Sequence, residues 1–133
     1  MSRHITDLRL LKYIHKEYYN SFTNFSDENK TRSAKIYVPI DCNKIAKKFK
    51  IDEDIIFGRL YYHLEKKYGY KADDNTHVPF FTLRVGKDSH CINYPLLDSV
   101  LSSLVDANKK FQLATAISIV SFIVALVSLL FSF

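Results

Sequence analysis

Histidine and cysteine are the side chains with which this 133-residue sequence could bind a metal or attack a substrate. Cys42 and Cys91 lie far apart and have no C-x-x-C spacing, so neither a zinc site nor a disulfide framework is predicted. We therefore expect both cysteines to be buried apolar residues, and no metal or other cofactor. The histidines lack a zinc-binding spacing such as H-E-x-x-H, being scattered at His4, His15, His63, His77 and His90.

Catalytic motifs are missing as well. The sequence has 3 glycines and contains no G-x-S-x-G, Walker or G-x-G-x-x-G motif. A glycine-rich phosphate-binding loop is therefore not predicted. His63 and Glu65 are the nearest approach to an acid–base pair, but residues two apart on a helix do not face each other. We interpret both as surface residues and expect that the protein is not an enzyme.

The C-terminal segment Phe111–Phe133 carries no charged residue, whereas the preceding chain carries all 19 Lys and Arg and all 14 Asp and Glu. At about 1.5 Å per residue its 23 residues span about 34 Å, enough to cross a hydrocarbon core of about 30 Å. Lys109 and Lys110 flank the segment, and the positive-inside rule then predicts a cytosolic N-terminal domain. The sequence thus predicts a tail-anchored, single-pass membrane protein.

Hydrophobic periodicity and turn residues predict the elements that precede this anchor. A polar loop is expected between the first helix and the first strand, at Thr23–Arg32. A β-hairpin is expected around a four-residue turn at Gly86–Ser89. The predicted helices and strands are, in order, helix Thr6–Phe22, strand Ala34–Pro39, helix Cys42–Phe49 capped by Asp41, helix Asp52–Tyr68 stopped by Gly69, strands Pro79–Val85 and His90–Tyr94, and a helix from about Leu96.

This order resembles the winged helix-turn-helix family over roughly Thr6 to Lys110. The resemblance rests on Ile40-Asp41 before Ile45-Ala46, on Ile51-Asp52 opening the next helix, and on the hairpin as the wing. It implies an α+β fold with a cytosolic winged helix-turn-helix domain at 1–95, an amphipathic connecting helix at 96–110 and a transmembrane helix at 111–133. Winged helices bind DNA in some proteins and other proteins elsewhere, so the resemblance leaves function open.

Basic residues form a patch that could contact nucleic acid or anionic lipid. The would-be recognition helix, however, opens with Asp52-Glu53-Asp54, whose carboxylates would be repelled by phosphates. Nucleic acid is therefore the less favoured partner. The patch consists of Lys44, Lys47, Lys48, Lys50, Arg84 and Lys87.

The exposed side of the same helix mixes apolar, aromatic and cationic residues at spacings of four, three and four. Arginine and tyrosine are typical anchors of protein interfaces. We expect this face to bind a cytosolic protein partner through Ile55, Arg59, Tyr62 and Lys66.

Small residues recur through the predicted membrane helix at heptad spacing, which lets helices approach closely. Three interpretations remain open: ordinary filler of a membrane helix, self-association into a homo-oligomer, or a ring of serines around a wet path. The seam consists of Ala114, Ser118, Ser121, Ala125, Ser128 and Ser132, and extends back through Phe111, Ala107, Leu104, Val100 and Leu97.

These features favour a membrane effector whose winged helix receives a signal or partner and whose anchor self-associates, permeabilising the bacterial inner membrane. The layout is similar to small bacterial membrane effectors of toxin and anti-phage systems. One alternative is a membrane-tethered transcription regulator that holds DNA through Lys44, Lys47, Lys48, Arg59 and Lys87. A second is an adaptor that recruits one cytosolic protein to the membrane.

Overall fold

The computed structural model describes residues 4–133 as a small α+β domain followed by a long apolar helix. It divides into two compact units, Met1–Leu101 and Ser102–Phe133. Residues 1–3 of the predicted domain 1–95 lie outside the described residues. The elements are α1 Asp7–Thr23, β1 Tyr37–Pro39, α2 Cys42–Phe49, α3 Glu53–Gly58, a π-helical segment Arg59–Leu64, α4 Glu65–Tyr68, β2 Tyr70–Lys71, β3 His77–Val78, β4 Phe81–Val85, β5 Asp88–Asn93 and α5 Tyr94–Phe131.

The predicted helix starts are confirmed where a polar side chain satisfies the free amides of the first turn. Thr6 Oγ1 accepts from the Arg9 amide at 3.1 Å and begins α1. Asp41 Oδ1 accepts from two amides, of Asn43 and Lys44, and begins α2. Asp52 does the same for the Asp54 amide before α3.

The loop after α1 is held by a buried arginine. The guanidinium of Arg32 donates to the carbonyl oxygens of Ser21 at 2.8 Å, Ala34 at 3.0 Å and Lys35 at 2.8 Å. Burial lowers the pKa of Arg32. The predicted strand Ala34–Pro39 is consequently shorter and begins only at Tyr37, because the backbone before it is engaged by this side chain.

The predicted helix Asp52–Tyr68 is interrupted by the π-helical segment. The Glu65 amide bonds to the Leu60 carbonyl five residues earlier, which inserts one residue into the turn. Leu60 and Leu64 both remain fully buried. The extra residue changes the direction of the side chains that follow, and Glu65 turns toward the segment that opens the hairpin.

The three-stranded antiparallel sheet has the order β1-β5-β4, and a small hairpin pairs β2 with β3. The four-residue turn predicted at Gly86–Ser89 is wrong in length, because Val85 already pairs with Asp88. Gly86 has a φ of +59°, a conformation that favours glycine and lets the chain reverse within two residues. The Asp88 carboxylate fixes the turn by accepting from the Ser33 amide at 2.7 Å.

α5 begins at Tyr94, two residues before the predicted Leu96. The side chain of Asn93 caps it by accepting from the Leu96 amide at 3.2 Å, and Pro95 occupies the first turn. The Tyr94 ring is buried and stacks on Phe22 with centroids 4.7 Å apart. Burial raises the pKa of Tyr94 to about 12.

The predicted membrane segment is helical, and the side chains of residues 111–133 are all exposed. α5 contains a stretch long and apolar enough to cross a membrane. None of that stretch is buried inside the protein, in contrast to a helix of the domain core. A continuous apolar surface of this kind needs an apolar surrounding.

Gly69, which ends α4, is required for space. A Cβ added there would lie 2.4 Å from Glu65 Oε1 and 2.7 Å from the Glu65 carbonyl oxygen. We expect Gly69→Ala to lower the free energy of unfolding by about 1–3 kcal/mol, because Glu65 would have to leave its hydrogen bonds. Near-ultraviolet circular dichroism of the full chain in detergent, followed during heating, measures the change.

Gly58→Ala is the matched control. A Cβ at Gly58 would make an ordinary contact of 3.6 Å with Tyr62, and alanine should stabilise the helix by about 0.5–1 kcal/mol. Equal shifts for the two variants would contradict the steric explanation.

Candidate functional site

An open groove lies between the π-helical segment with α4 on one side and strand β4 on the other. Its volume is about 660 Å³, within the range of binding clefts. Tyrosine side chains and the stem of a lysine form the helical wall, and β4 with the proline before it forms the other. The lining residues are Tyr61, Tyr62, Glu65, Lys66, Gly69, His77, Pro79, Phe81, Thr82 and Leu83.

Glu65 joins the two walls of the groove through hydrogen bonds. Its Oε2 accepts hydrogen bonds from the amides of Phe80 at 2.7 Å and Phe81 at 2.8 Å, and its Oε1 lies 3.0 Å from His77 Nε2. The side chain is 17% exposed. The expectation that Glu65 is a surface residue is wrong, because the π-helical turn directs it into the protein. No periodicity in the sequence marks that extra residue.

The residues of the predicted partner face have different surroundings in the structure. Ile55 and Tyr62 are 61% and 70% exposed, and Lys66 lines the groove. Arg59 instead binds within the chain: its guanidinium donates to Asp7 Oδ1 and to the Ile5 carbonyl oxygen, both at 2.9 Å.

Tyr61 and Tyr62, which line the groove, belong to a set of aromatic side chains in mutual contact. Phe57 stacks on Tyr61 with ring centroids 5.4 Å apart, and Tyr61 meets the edge of Tyr62 at 5.0 Å. Phe57 also packs edge-on against Phe81 of β4 at 6.1 Å. Sequence reasoning missed Tyr61 and Phe57, although both adjoin the predicted face residues in a run rich in apolar side chains. Rigid aromatic walls of this kind are typical of binding surfaces.

The residues of the predicted basic patch lie on several elements. Lys44 pairs with Glu17, and this hydrogen bond raises the pKa of Lys44. Arg84 lies on β4, and Lys87 in the hairpin turn. Lys47 is exposed on α2.

Two of the lysines instead border a second cavity, of about 390 Å³. Its cations are Lys48, Lys50 and Arg9, and Arg9 also lies over the Phe49 ring at 5.7 Å. Sequence reasoning missed Arg9, because its approach to α2 depends on the packing of α1. The full lining is His4, Ile5, Arg9, Lys48, Phe49 and Lys50.

The two cysteines are buried, as expected. Burial raises the pKa of Cys42 to about 11 and that of Cys91 to about 11, so both thiols stay protonated near neutral pH. Within residues 4–133, no group of three His, Cys, Asp or Glu side chains could hold a metal ion.

The seam residues of α5 differ in their surroundings. Leu97 and Val100 are buried in the core of the first unit, so they are not available to a partner helix. Leu104 is half-buried, whereas Ala107 and Phe111 are exposed.

Among the flanking lysines, Lys110 pairs with Asp106 at 3.1 Å and Lys109 is exposed.

The small residues of the membrane segment are all exposed. Around Ala114 and Ser118 they leave a groove of about 490 Å³ along the helix, with Phe111 and Phe122 on its borders. Ser132 Oγ donates to the Leu129 carbonyl oxygen at 2.7 Å. Across the part of the chain that the structure describes, the hydroxyls of Ser118, Ser121 and Ser128 have no hydrogen-bond partner.

The domain thus offers an aromatic groove beside a strand and a small basic cavity, and the apolar helix offers a face of small residues. An open groove lined by tyrosine side chains is suited to binding another chain. No protein-family model, curated protein or solved structure matches this chain.

Arg59→Ala tests whether this arginine is structural. The Asp7 side chain is 18% exposed, and removing its closest cation leaves it with the more distant His63 at 3.5 Å and Lys67 at 3.7 Å. We expect the free energy of unfolding to fall by about 1–3 kcal/mol. Ile55→Ala, on the same face but exposed, should change it by less than about 0.5 kcal/mol. Thermal unfolding of the two variants gives the comparison, and similar losses in both would argue against a structural role.

Proposed function

We propose that this protein is a single-span membrane effector. Its N-terminal domain, of the winged helix-turn-helix type, binds a protein partner, and its C-terminal helix self-associates and permeabilises the membrane. The proposed location is the bacterial inner membrane with the domain in the cytosol, and Lys109 and Lys110 on the domain side of the span support it. The use resembles that of small effectors in toxin and anti-phage systems.

The observation that carries this proposal is the exposed face of small residues on α5. The hydroxyls of Ser118, Ser121 and Ser128 lack partners among residues 4–133, and an unsatisfied polar group is costly in hydrocarbon. A second copy of the helix supplies both close packing and hydroxyl partners. In a wider ring the same hydroxyls face water and line a path across the membrane.

The order of elements supports a winged-helix domain. α2 and α3 are joined by a short turn, in which Lys50 adopts a left-handed conformation with a φ of 55°. The β4–β5 hairpin follows, and β1 completes its sheet as in a wing with one added strand. The carboxylates Asp52, Glu53 and Asp54 stay exposed at the start of α3, which favours a protein over a duplex as partner.

Leakage from liposomes tests the effector function. We expect full-length protein to release an entrapped dye and to form a discrete oligomer in detergent. Replacing Ser121, Ala125 and Ser128 with leucine should weaken association about 8-fold, because two hydroxyl contacts of about 0.6 kcal/mol each are lost, and stop the leakage.

The matched control carries Ile123→Leu and Val127→Leu on the opposite side of the helix. This variant should leak as the unsubstituted protein does. If the seam variant also leaks normally, the permeabilising function is wrong. A monomer with intact liposomes would leave the helix as a tether and favour the adaptor.

The second candidate function, a membrane-tethered DNA-binding regulator, is favoured by the basic cavity of Arg9, Lys48 and Lys50. It predicts binding of the detergent-solubilised chain to duplex DNA with a steep salt dependence. Replacing these three residues with alanine should reduce the slope of log K against log salt by about 0.9 for each phosphate that the protein no longer neutralises. Lys12→Ala with Lys16→Ala, exposed on α1, is the control. Fluorescence anisotropy at low salt is the measurement, and absence of binding there dismisses this function.

A further inference from the structure

The basic cavity between the start of α1 and the end of α2 is lined by cations without a carboxylate. Its volume is about 390 Å³, which lies within the range of small-molecule sites. Arg9 belongs to the first turn of α1, Lys48 to the last turn of α2, and Lys50 to the residue that caps α2. Among the described residues, no aspartate or glutamate lines the cavity. The cavity therefore carries a positive charge that its own walls do not balance.

The same three side chains lack anionic partners elsewhere in the domain. Across residues 4–133, Arg9, Lys48 and Lys50 form no ion pair. The carboxylate nearest to Arg9 in sequence is that of Asp7, which instead accepts from Arg59 at 2.9 Å. Like charges that share a cavity repel one another, and a bound anion relieves this repulsion.

Aromatic rings hold two of these cations in place. The Arg9 guanidinium lies over the Phe49 ring at 5.7 Å, and the Lys48 ammonium lies over the Tyr13 ring at 6.0 Å. Phe49 and Tyr13 meet edge to face, with their ring centroids 5.4 Å apart. A ring attracts a cation without neutralising its charge, so both side chains are positioned and still able to bind an anion.

Two of the cations occupy positions that the local backbone disfavours. Lys50 has a left-handed conformation with a φ of 55° at the end of a helix, where glycine is the preferred residue. Arg9 lies in the first turn of α1, where the helix dipole favours a negative charge. Stabilisation of a helix end accounts for Lys48, but not for the conformation of Lys50 or the position of Arg9. Residues held at a local energetic cost are typical of functional sites.

The surroundings of the cavity favour a compact anion over a long one. Asp52, Glu53 and Asp54 follow Lys50 closely in the chain and are exposed. A duplex nucleic acid that passes over Lys50 brings a row of phosphates toward these carboxylates, whereas a ligand confined to the cavity does not. Phosphate is the compact anion that best matches guanidinium and ammonium groups, because it combines high charge with several acceptor oxygens.

We propose that this cavity binds a compact ligand that carries a phosphate group with two or more negative charges. Arg9 binds phosphate oxygens through its planar guanidinium, and Lys48 and Lys50 supply point charges. The phosphate belongs to a soluble compound or to the phosphomonoester headgroup of a lipid, since both present the same chemistry. The inference goes beyond the proposed function and depends on neither permeabilisation nor a protein partner.

The soluble probe is inorganic pyrophosphate, titrated calorimetrically into the full chain in phosphatidylcholine nanodiscs. The ionic strength is physiological, so that distant charges are screened. We expect saturable binding of one pyrophosphate per chain and a midpoint of thermal unfolding that rises with pyrophosphate concentration.

Nanodiscs that contain phosphatidic acid distinguish the two sources of phosphate. If a lipid headgroup fills the cavity, pyrophosphate binds more weakly to these discs than to discs with phosphatidylglycerol at the same total charge. Equal affinities in the two kinds of disc identify a soluble ligand. Both outcomes require the binding in phosphatidylcholine discs and support the site.

Matched lysine variants locate the binding. Lys48→Ala should weaken pyrophosphate binding about tenfold or more, because a charged hydrogen bond is lost. Lys47→Ala removes the same charge from the neighbouring residue, which is exposed on α2 and does not line the cavity. This control should change the affinity by less than about threefold.

Lys50→Gly separates a binding role from a structural one. Without ligand, this variant should unfold at a temperature a few degrees higher, because glycine adopts the left-handed conformation without strain. Its affinity for pyrophosphate should nevertheless fall about tenfold or more. A lysine with only a structural role would leave the affinity unchanged.

Other results overturn the inference. They are absence of saturable pyrophosphate binding, or equal losses for Lys47→Ala and Lys48→Ala, which would indicate a general attraction to positive charge. Duplex DNA that binds through the cavity and is not displaced by pyrophosphate would assign it to nucleic acid instead. Liposome leakage is measured separately, so pyrophosphate binding without leakage refutes the effector function alone, and leakage without pyrophosphate binding refutes the phosphate site alone.

Discussion

The side chain of Glu65 is the interaction on which the arrangement of the domain depends. One carboxylate holds the amides of Phe80 and Phe81, which open the hairpin, and meets His77 of β3. A buried carboxylate needs such donors, because desolvation without hydrogen bonds is costly. Gly69 leaves the space in which this side chain sits. The helix, the small β2–β3 hairpin and the sheet are therefore joined at one residue.

Glu65 also lines the groove between the helical segment and β4. By accepting from the Phe80 and Phe81 amides it holds the start of β4 against the helical segment, whose Tyr61 and Tyr62 line the groove. π-helical turns occur often at functional sites, since the extra residue redirects side chains. Here the redirection produces both the anchor and the groove. A continuous α-helix over the same residues would place position 65 elsewhere on its circumference.

Other charges of the domain are similarly engaged within the chain. Arg59 binds Asp7 and the Ile5 carbonyl, and Lys44 binds Glu17, so neither offers a free cation. Within residues 4–133, Lys66 beside the groove has no ion-pair partner. The side chains of residues 111–133 in the apolar helix are exposed, and a serine hydroxyl there bonds within the helix, as that of Ser132 does to the Leu129 carbonyl, or to another helix or water. The groove and the apolar segment thus belong to separate units of the chain.

Much of the fold could be predicted from sequence because its determinants are local. Caps at Thr6, Asp41 and Asp52 mark helix starts, and an uncharged run of sufficient length marks the membrane helix. The exposure of Ile55 and Tyr62 followed from helical periodicity. The length of the hairpin turn could not be predicted from local sequence. The two-residue turn at Gly86 depends on Ser33, which is distant in the chain.

The site depended on contacts that no local pattern encodes. Arg59 looked like an interface arginine until the fold placed Asp7 and Ile5 beside it, and Leu97 and Val100 looked like a helix seam until the domain core buried them. The sequence by itself determined where the helices and the strands of the three-stranded sheet lie and which segment is apolar enough to span a membrane, because those follow from periodicity, caps and charge; the short β2–β3 hairpin was not predicted. Only the tertiary structure decided which side chains are left free to bind, because that depends on partners brought together from distant positions.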